Sequence, residues 1–289
     1  ALCGKNLPLS WRCSWDSKEE VSPVKKLFNL STERKEKAGT IDLLINCDGF
    51  NPLTQTLASW LRPQFVAGGS LDKSCRNILP WGELPNQCFL ADSDWDSNAF
   101  LDRYKNHFKS NYIAELLCRM AFLDPKEKDL SNINLPWQKP NFDVPDVLIH
   151  CTTARAAKLW PLKHWNEFLT YFQNYSIKIG MVGAAPNLQR LDYHSGSDED
   201  ELLKNYSKNL IDLRGRTNLI ELAGASRLAK AVISLDAGPM HIAAGVGTPT
   251  LAIVGNDKNG DGVSPIRLWL PRTDNLDRTI SSFSSSSFS

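Results

Sequence analysis

Residues 231–255 read AVISLDAGPMHIAAGVGTPTLAIVG, and this stretch decides the fold. A short β-branched run is followed by an Asp-Ala-Gly-Pro turn, an Ala-rich segment and a second apolar run. Short apolar runs bounded by Gly and Pro are typical of strands, and the small-residue segment between them is typical of a helix. The stretch therefore predicts a strand, a tight loop, a helix and a second strand, which together form a βαβ unit.

The polar residues of this unit gather where its first strand ends. Asp236 follows the strand directly, and His241 lies near the start of the predicted helix. In open parallel sheets ligands bind at the carboxyl ends of the strands, and the free N–H groups of a helix N-terminus favour an anion. A phosphate-bearing ligand is the first hypothesis for this edge.

Composition describes a globular protein without a nucleic-acid signature. The chain has 289 residues, of which 42% are hydrophobic and 22% are charged, and its net charge is +1. A chain of this length can bury sizeable cores in one large or two moderate domains. Because nucleic-acid binders usually carry a strongly basic face, we expect no nucleic-acid partner.

Cysteine usage and hydropathy favour a cytoplasmic location. The seven cysteines are scattered without CxxC spacing, so we expect reduced thiols rather than a disulfide framework. No apolar run approaches the length of a membrane span, and the first residues lack a signal-peptide pattern. Peripheral association with a membrane stays open.

The rest of the chain predicts two α/β halves and a tail. In the first half we expect strands at 41–46 and 64–67, helices at 52–61 and 111–123, a loop at 82–96 and an irregular segment at 1–39. In the second half we expect strands at 147–151, 177–182 and 210–213, helices at 165–173 and 219–228, and an acidic helical segment at 202–205. This alternation predicts a parallel sheet with helices on both faces. The predicted domains are residues 1–140 and 141–272, followed by a Ser-rich tail at 273–289.

A second polar cluster follows the strand at 147–151. Residues 150–165 read HCTTARAAKLWPLKHW, which places Thr152, Thr153, Arg155 and Lys158 at the same carboxyl edge as Asp236. Lysine and arginine both neutralise phosphate oxygens, and charge-assisted hydrogen bonds are stronger than neutral ones. Together with the loop after Asp236, these residues suit a diphosphate.

These two segments carry a family resemblance. Lys158-Leu159-Trp160-Pro161 with Trp165, and residues 236–244 followed by Thr248-Pro249 and Gly255, resemble glycosyltransferase family nine, the heptosyltransferases of lipopolysaccharide biosynthesis and their relatives. The resemblance is specific from about Val147 to Trp269 and only architectural before it.

The resemblance implies a GT-B architecture, in which two Rossmann-like domains face one another across a cleft. The C-terminal domain would bind a nucleotide-sugar donor and the N-terminal domain the acceptor. Lys158 would contact the donor and stabilise the charge of the leaving group, and Asp236 would lie beside the donor sugar. The amides of Ala237 and Gly238 and the helix start at Pro239, Met240 and His241 would hold the diphosphate. His241 is expected to be a neutral donor or a structural residue rather than a proton carrier.

Three departures from the family pattern matter. Ala237 stands where the family has Ser or Thr, so one hydroxyl is missing. The segment after Gly183 lacks the family's Glu, and Asn187 or Gln189 would have to serve the nucleoside instead. The family's opening strand and Gly-Asp loop have no counterpart in residues 1–39. Asp48 is then the best candidate for the general base by position, although Asp before Gly is often simply a turn residue.

Other polar and aromatic residues have ordinary interpretations. We expect His150 and His164 to be structural or surface residues, and Trp160 and Trp165 to pack a helix on the sheet rather than stack on a base. The acidic run at 198–201 is expected to be a solvated loop or the start of a helix. The polar glycine loop at 256–265 could close over the donor.

The sequence thus predicts an inverting, metal-independent glycosyltransferase with no cofactor. Its donor is a nucleoside-diphosphate sugar, with ADP-heptose as the leading hypothesis, and its acceptor is a saccharide of a cell-surface glycan or a protein side chain. Two alternatives remain open: a non-catalytic GT-B-like module that binds sugar nucleotides, and a GT-B-like sugar-nucleotide epimerase.

Overall fold

The computed structural model describes residues 23–48, 51–79, 83–89, 92, 94, 97–153, 155, 158–188, 196–255 and 266–280. The chain divides into two compact units, Ala1–Pro125 and Lys126–Ser289. The boundary expected at residue 140 falls inside the second unit. Residues 126–140 are hydrogen-bonded to the rest of the second unit. The Leu135 amide donates to the Gly245 carbonyl, and the Gln138 amide donates to the Ile220 carbonyl.

The first unit combines a small parallel sheet with helices. Its elements are α1 (Pro23–Ala38), β1 (Leu43–Asn46), α2 (Pro52–Trp60), β2 (Phe65–Gly68), α3 (Pro85–Cys88), α4 (Asn98–Arg103) and α5 (Ile113–Met120). Strands β1 and β2 pair in parallel, with Leu43 opposite Phe65. Asn51 caps α2, since its side chain accepts from the Leu53 amide. The predicted strands and helices of this half are confirmed to within a few residues.

Two expectations for the first unit are wrong. Part of the segment expected to be irregular forms α1, in which Leu27 is buried against Leu44 and Leu57. The helix is rich in charged residues, so its apolar face is narrow and was hard to recognise in the sequence. Helix α3 lies within the segment expected to be a loop, and it starts at Pro85, a residue favoured in the first turn of helices.

The second unit is built on a six-stranded sheet in which every strand pair is parallel. Its strands are β3 (Val147–His150), β4 (Ile179–Met181), β5 (Leu210–Asp212), β6 (Ala231–Leu235), β7 (Thr250–Val254) and β8 (Leu276–Ile280). Its helices are α6 (Glu127–Ser131), α7 (Leu162–Phe172), α8 (Gly196–Asn205), α9 (Leu219–Leu228), α10 (Gly238–Gly245) and α11 (Ile266–Trp269). The βαβ unit predicted from residues 231–255 is confirmed as β6, α10 and β7.

The strand order is β5-β4-β3-β6-β7-β8. From β3 the chain builds outward through β4 to β5, and it then returns to the other side of β3 to place β6, with His150 opposite Ser234. The adjacent pair β3 and β6 is therefore the topological switch point of the sheet. In open α/β sheets the loops that leave the two strands at such a point separate and form a ligand-binding crevice.

The strand β8 corrects the expectation of a tail that begins at residue 273. It pairs with β7 from Leu276 opposite Thr250 to Ile280 opposite Val254. The serines that suggested a tail lie mostly beyond this strand, and residues 281–289 are outside the described ranges. The sheet thus has one more strand at this edge than the sequence predicted.

Both faces of the sheet are covered by apolar clusters. On one face Ile149 and Met181 pack with Trp165 of α7, whose indole is only 2% exposed. On the other face Leu148 and Val232 pack in the cluster that also contains residues of α9 and α10. Trp160 meets Trp165 edge to face at 4.7 Å between ring centroids. The expected packing role of Trp165 is confirmed.

The acidic run at 198–201 lies near the start of α8, which confirms the expected helix start, but it is only partly solvated. Glu199 is fully buried and accepts from the Arg214 guanidinium at 3.1 Å. Arg214 also donates to Asp200 and Asp212, so one buried cation links α8 to the end of β5. Those carboxylates raise the pKa of Arg214, and Asp212 has the largest effect.

Among the helices of the described ranges, none combines the length and the apolar character that crossing a bilayer requires.

The contact between α9 and the segment before β3 gives a stability prediction. A Cβ at Gly224 would lie 1.8 Å from the Gln138 carbonyl oxygen, whereas a Cβ at Gly238 would meet nothing within 4 Å. We expect Gly224→Ala to lower the free energy of unfolding by about 2 kcal/mol through overpacking, although Ala is the better helix former. Gly238→Ala is the matched control and should leave stability unchanged. Urea denaturation of both variants checks this, and equal stabilities would contradict it.

Candidate functional site

An ion pair occupies the switch point of the second unit. The Lys158 Nζ atom lies 2.6 Å from Asp236 Oδ2, and each side chain is 12% exposed. Lys158 follows β3 and Asp236 follows β6, whose pairing with β7 is extended by a bond from the Asp236 amide to the Ile253 carbonyl. The fold thus brings together the two residues that the sequence singled out, at the edge predicted for a ligand.

Next to this pair, helix α10 begins without a side-chain cap. Ala237 is its N-cap residue and is extended, with φ −155° and ψ 174°. The amides of Ala237 and Gly238 make no hydrogen bond within the described part of the chain. Pro239 supplies no N–H, and the space around Gly238 is open. An anion at this position would accept hydrogen bonds from the two free amides and would meet the positive end of the helix dipole.

Two further residues of the predicted helix start, His241 and Met240, differ in their surroundings: His241 lies near the ion pair, and Met240 lies in the core. His241 is mostly buried, and burial lowers its pKa, while Asp236 acts in the opposite direction and Lys158 in the same one. Burial thus favours the uncharged form of the imidazole, and both charges of the ion pair act on it. Met240 has no exposed surface and packs in a cluster with Ala252 and Val254. Its side chain supports the helix rather than facing a ligand.

The loop after β3 carries its polar groups mainly inward. Thr152 is 2% exposed and Thr153 is 4% exposed. The Arg155 amide donates to Thr153 Oγ1 at 3.3 Å, and the Lys158 amide donates to the Arg155 carbonyl at 3.0 Å. These bonds join Thr153 to Arg155 and Arg155 to Lys158, the residue that pairs with Asp236. Arg155 itself is exposed.

The candidate residue for the nucleoside lies apart from these contacts. Asn187 is exposed on a short 3₁₀ turn, Pro186–Leu188, after β4. No hydrogen bond or ion pair among the described residues joins it to Lys158 or Asp236. Gln189 and the loop at 256–265 are outside the described residues.

In the first unit, Asp48 lies in the turn between β1 and α2. Its Oδ2 accepts from the Asn51 side chain at 3.2 Å, and its carbonyl accepts from Thr54 Oγ1 at 2.7 Å. Its amide donates to Asn46 Oδ1, and Asn46 is buried. Asp48 is half-buried at the carboxyl end of its strand, as the sequence predicted, and its carboxylate also helps to shape the entry of the helix.

The sequence did not predict the burial of two polar groups near the edge of the large sheet. His150, expected to be structural or on the surface, is 5% exposed at the end of β3, two residues before Thr152. Arg214 follows β5 and holds three carboxylates. The available signal was positional, because each is a titratable side chain at or just beyond the carboxyl end of a strand. Within the described ranges there is no group of three or more His, Cys, Asp or Glu side chains placed to hold a metal ion.

Solved structures share this fold. A family 9 glycosyl transferase from Veillonella parvula superposes with a TM-score of 0.57 at 17% identity, covering 92% of this chain and 69% of that one. The E. coli heptosyltransferase WaaC with ADP gives a TM-score of 0.53 at 15% identity, covering 94% of this chain and 74% of that one. The α/β fold with parallel sheets is therefore of the GT-B class, as predicted.

Sequence comparison leads to the same family. Lipopolysaccharide heptosyltransferase 1 of Salmonella typhimurium is 28% identical over 109 residues, which are 38% of this chain and 31% of that protein. The Escherichia coli K12 protein of the same name is 27% identical over 124 residues, 42% of this chain and 34% of that protein. The matched segment spans about a third of the length of these curated relatives. The model of glycosyltransferase family 9 (heptosyltransferase) matches residues 99–265, more than half of the chain. This chain belongs to glycosyltransferase family 9.

Proposed function

We propose that this protein is an inverting, metal-independent glycosyltransferase that uses a nucleoside-diphosphate sugar, with ADP-heptose as the leading candidate. The observation that carries the proposal is the Lys158–Asp236 pair beside the uncapped start of α10, at the switch point of a family 9 sheet. A diphosphate supplies the negative charge and the acceptor oxygens that this arrangement lacks.

The site offers the diphosphate two kinds of partner. The amides of Ala237 and Gly238 supply hydrogen bonds that do not depend on a side chain, so the missing hydroxyl at Ala237 leaves this part of the site intact. The Lys158 ammonium group adds a full charge within a largely buried setting. Electrostatic interactions are stronger in such a setting than in water, which favours stabilisation of a departing diphosphate.

The proposed reaction is a single displacement. An acceptor hydroxyl oxygen forms a bond to the anomeric carbon while the bond from that carbon to the diphosphate oxygen breaks, and the configuration inverts. Lys158 and the α10 amides stabilise the charge that develops on the diphosphate, and Asp236 accepts hydrogen bonds from the donor sugar. The hydroxyl proton passes to a base, for which Asp48 is the candidate. Because lysine and helix amides supply the positive charge, the step is proposed to need no metal ion.

The names of the relatives support the choice of substrates. WaaC is described with ADP, and the matched curated proteins are lipopolysaccharide heptosyltransferases. We therefore place an adenosine diphosphate sugar first, with Thr152, Thr153, Arg155 and Asn187 as further candidates for donor binding. The proposed acceptor is a saccharide of a cell-surface glycan or a protein side chain. The proposed setting is the cytoplasm, with peripheral membrane association and without a nucleic-acid partner.

A binding module without catalysis is the second candidate, because the Asp48 carboxylate is already bonded to Asn51 in a helix-entry turn.

Two measurements test the proposed transferase against this candidate. We expect calorimetry to show that ADP binds more tightly than UDP, GDP or AMP. We also expect sugar transfer from ADP-heptose to a lipopolysaccharide acceptor to persist in EDTA. Tight ADP binding without turnover on glycan or protein acceptors would identify the module. Loss of transfer in EDTA would contradict metal independence, and conversion of the donor to its epimer would identify an epimerase.

The ion pair gives a prediction that separates charge from folding. Lys158→Met should lower ADP affinity at least about tenfold, because a charge-assisted contact to phosphate is lost. The same change leaves Asp236 buried and unpaired, which also costs stability. The double variant Lys158→Met with Asp236→Asn removes both charges, so its melting temperature should recover while ADP affinity stays low. Calorimetry and thermal unfolding check both effects. Wild-type affinity in the double variant would remove Lys158 from the site.

Asp48 gives a prediction about the acceptor side. Asp48→Asn keeps the shape of the side chain and its bond to Asn51, but the amide cannot take up a proton. We expect the transfer rate to fall at least about hundredfold while ADP affinity stays at the wild-type value. Asn51→Ala is the control for the helix-entry role, and it should reduce stability more than transfer. Full transfer activity in Asp48→Asn would place the base elsewhere.

A further inference from the structure

His150 is a buried polar residue that the proposed reaction does not yet use. It ends β3 after Leu148 and Ile149, which have no exposed surface, and it is itself 5% exposed. Its Nε2 atom lies 3.3 Å from Thr152 Oγ1, within hydrogen-bonding distance. Its Nδ1 atom is buried and has no hydrogen-bond partner within the described part of the chain.

Fold stability alone does not account for a histidine at this position. A buried nitrogen without a partner destabilises the folded state, and an apolar side chain would continue the pattern of Leu148 and Ile149. Burial lowers the pKa of His150 to about 4, so the ring is neutral at physiological pH and makes no ion pair. A polar residue kept at a cost in stability is expected where it serves a site.

The position of His150 connects it to the ion pair. It lies opposite Ser234 in β6, two residues before Asp236 on that neighbouring strand. After its own strand it contacts Thr152, whose neighbour Thr153 accepts from the Arg155 amide, and the Arg155 carbonyl accepts from the Lys158 amide. His150 therefore contacts the residue that adjoins the hydrogen bonds joining Thr153, Arg155 and Lys158.

We propose that His150 is a positioning residue for donor binding: its contact with Thr152 fixes Thr152 and the adjoining Thr153, to which Arg155 and then Lys158 are hydrogen-bonded, and so holds the Lys158 ammonium group beside Asp236 and the start of α10. This inference rests on the proposed function, because it assigns His150 to the site at which the donor diphosphate binds. It does not make His150 a catalytic residue, since the imidazole acts through Thr152 and Lys158.

The test compares His150→Met with His150→Gln. Met fills the space without a hydrogen-bonding group at the Nε2 position, whereas Gln carries an amide there. We expect His150→Met to melt at or above the wild-type temperature, because the unpaired nitrogen is gone, and yet to bind ADP about tenfold more weakly. His150→Gln should return the affinity to within about threefold of wild type. A residue with a structural role alone would lose stability in the Met variant without this opposite change in binding.

Thr152→Val completes a double-mutant cycle. If His150 acts through Thr152, His150→Met combined with Thr152→Val binds ADP no more weakly than either single variant. The proposal is overturned if the losses of ADP affinity in the two single variants multiply in the double variant. It is also overturned if His150→Met has a lower melting temperature than wild type, or if its ADP affinity is unchanged.

A measurement without a ligand separates this inference from the proposed function. Reductive methylation of Lys158, followed by mass spectrometry, reports how firmly the ammonium group is held by Asp236. We expect faster methylation in His150→Met than in wild type and His150→Gln, and equal rates in all three would overturn the inference. If the wild-type protein binds no ADP but the methylation rates differ as expected, the proposed donor fails while the positioning role of His150 stands.

Discussion

The parallel pairing of β3 with β6 is the constraint on which the second unit depends. These strands are distant in the sequence, because β4 and β5 lie between them in the chain and on one side of β3 in the sheet, whereas β6 lies on the other side. Helices cover both faces, so the strand interiors are mainly apolar and the charged groups lie mostly where the strands end. His150 ends β3, Thr152 follows it, and Asp236 follows β6, all at the edge where ligands bind in such sheets. The grouping of these polar side chains at one edge therefore follows from the strand order, which places β3 next to β6.

The electrostatics of that edge are incomplete in the free protein. Lys158 and Asp236 compensate each other, but both were removed from water to do so, and a buried ion pair gives little net stability. The start of α10 remains uncompensated, because Ala237 has no side chain that could cap it. A diphosphate would cap the helix and share Lys158 with Asp236. The same groups that contribute little to folding are thus those that a ligand would use most.

The sequence predicted what depends on local pattern. The helix at 219–228 was found at those residues, and Lys158 and Asp236 lie at one carboxyl edge, as expected from placing both after parallel strands, whereas their ion pair was not predicted. Local pattern was insufficient where burial is decided by distant partners. Glu199 appeared solvated in its acidic run, because its partner Arg214 lies beyond another strand. Met240 appeared to belong to the site, but its side chain faces β7 and the core.

The same distinction applies to His150 and Asp48. Each is the polar residue at or just beyond the carboxyl end of a parallel strand, and each bonds to the start of the segment that follows, Thr152 in one case and Asn51 in the other. Such bonds shape a turn, which agrees with the structural or surface role expected for His150 and with the turn role that was weighed against a general base for Asp48. Shaping a turn and serving a site are compatible when the turn carries a reacting group. For His150 that group is Lys158, which two hydrogen bonds join through Arg155 to Thr153, the neighbour of Thr152. For Asp48 the group would be its own carboxylate, of which one oxygen is bonded to Asn51 and the other has no partner in the described part of the chain. A turn residue can therefore hold its loop with one polar atom and leave another for a substrate.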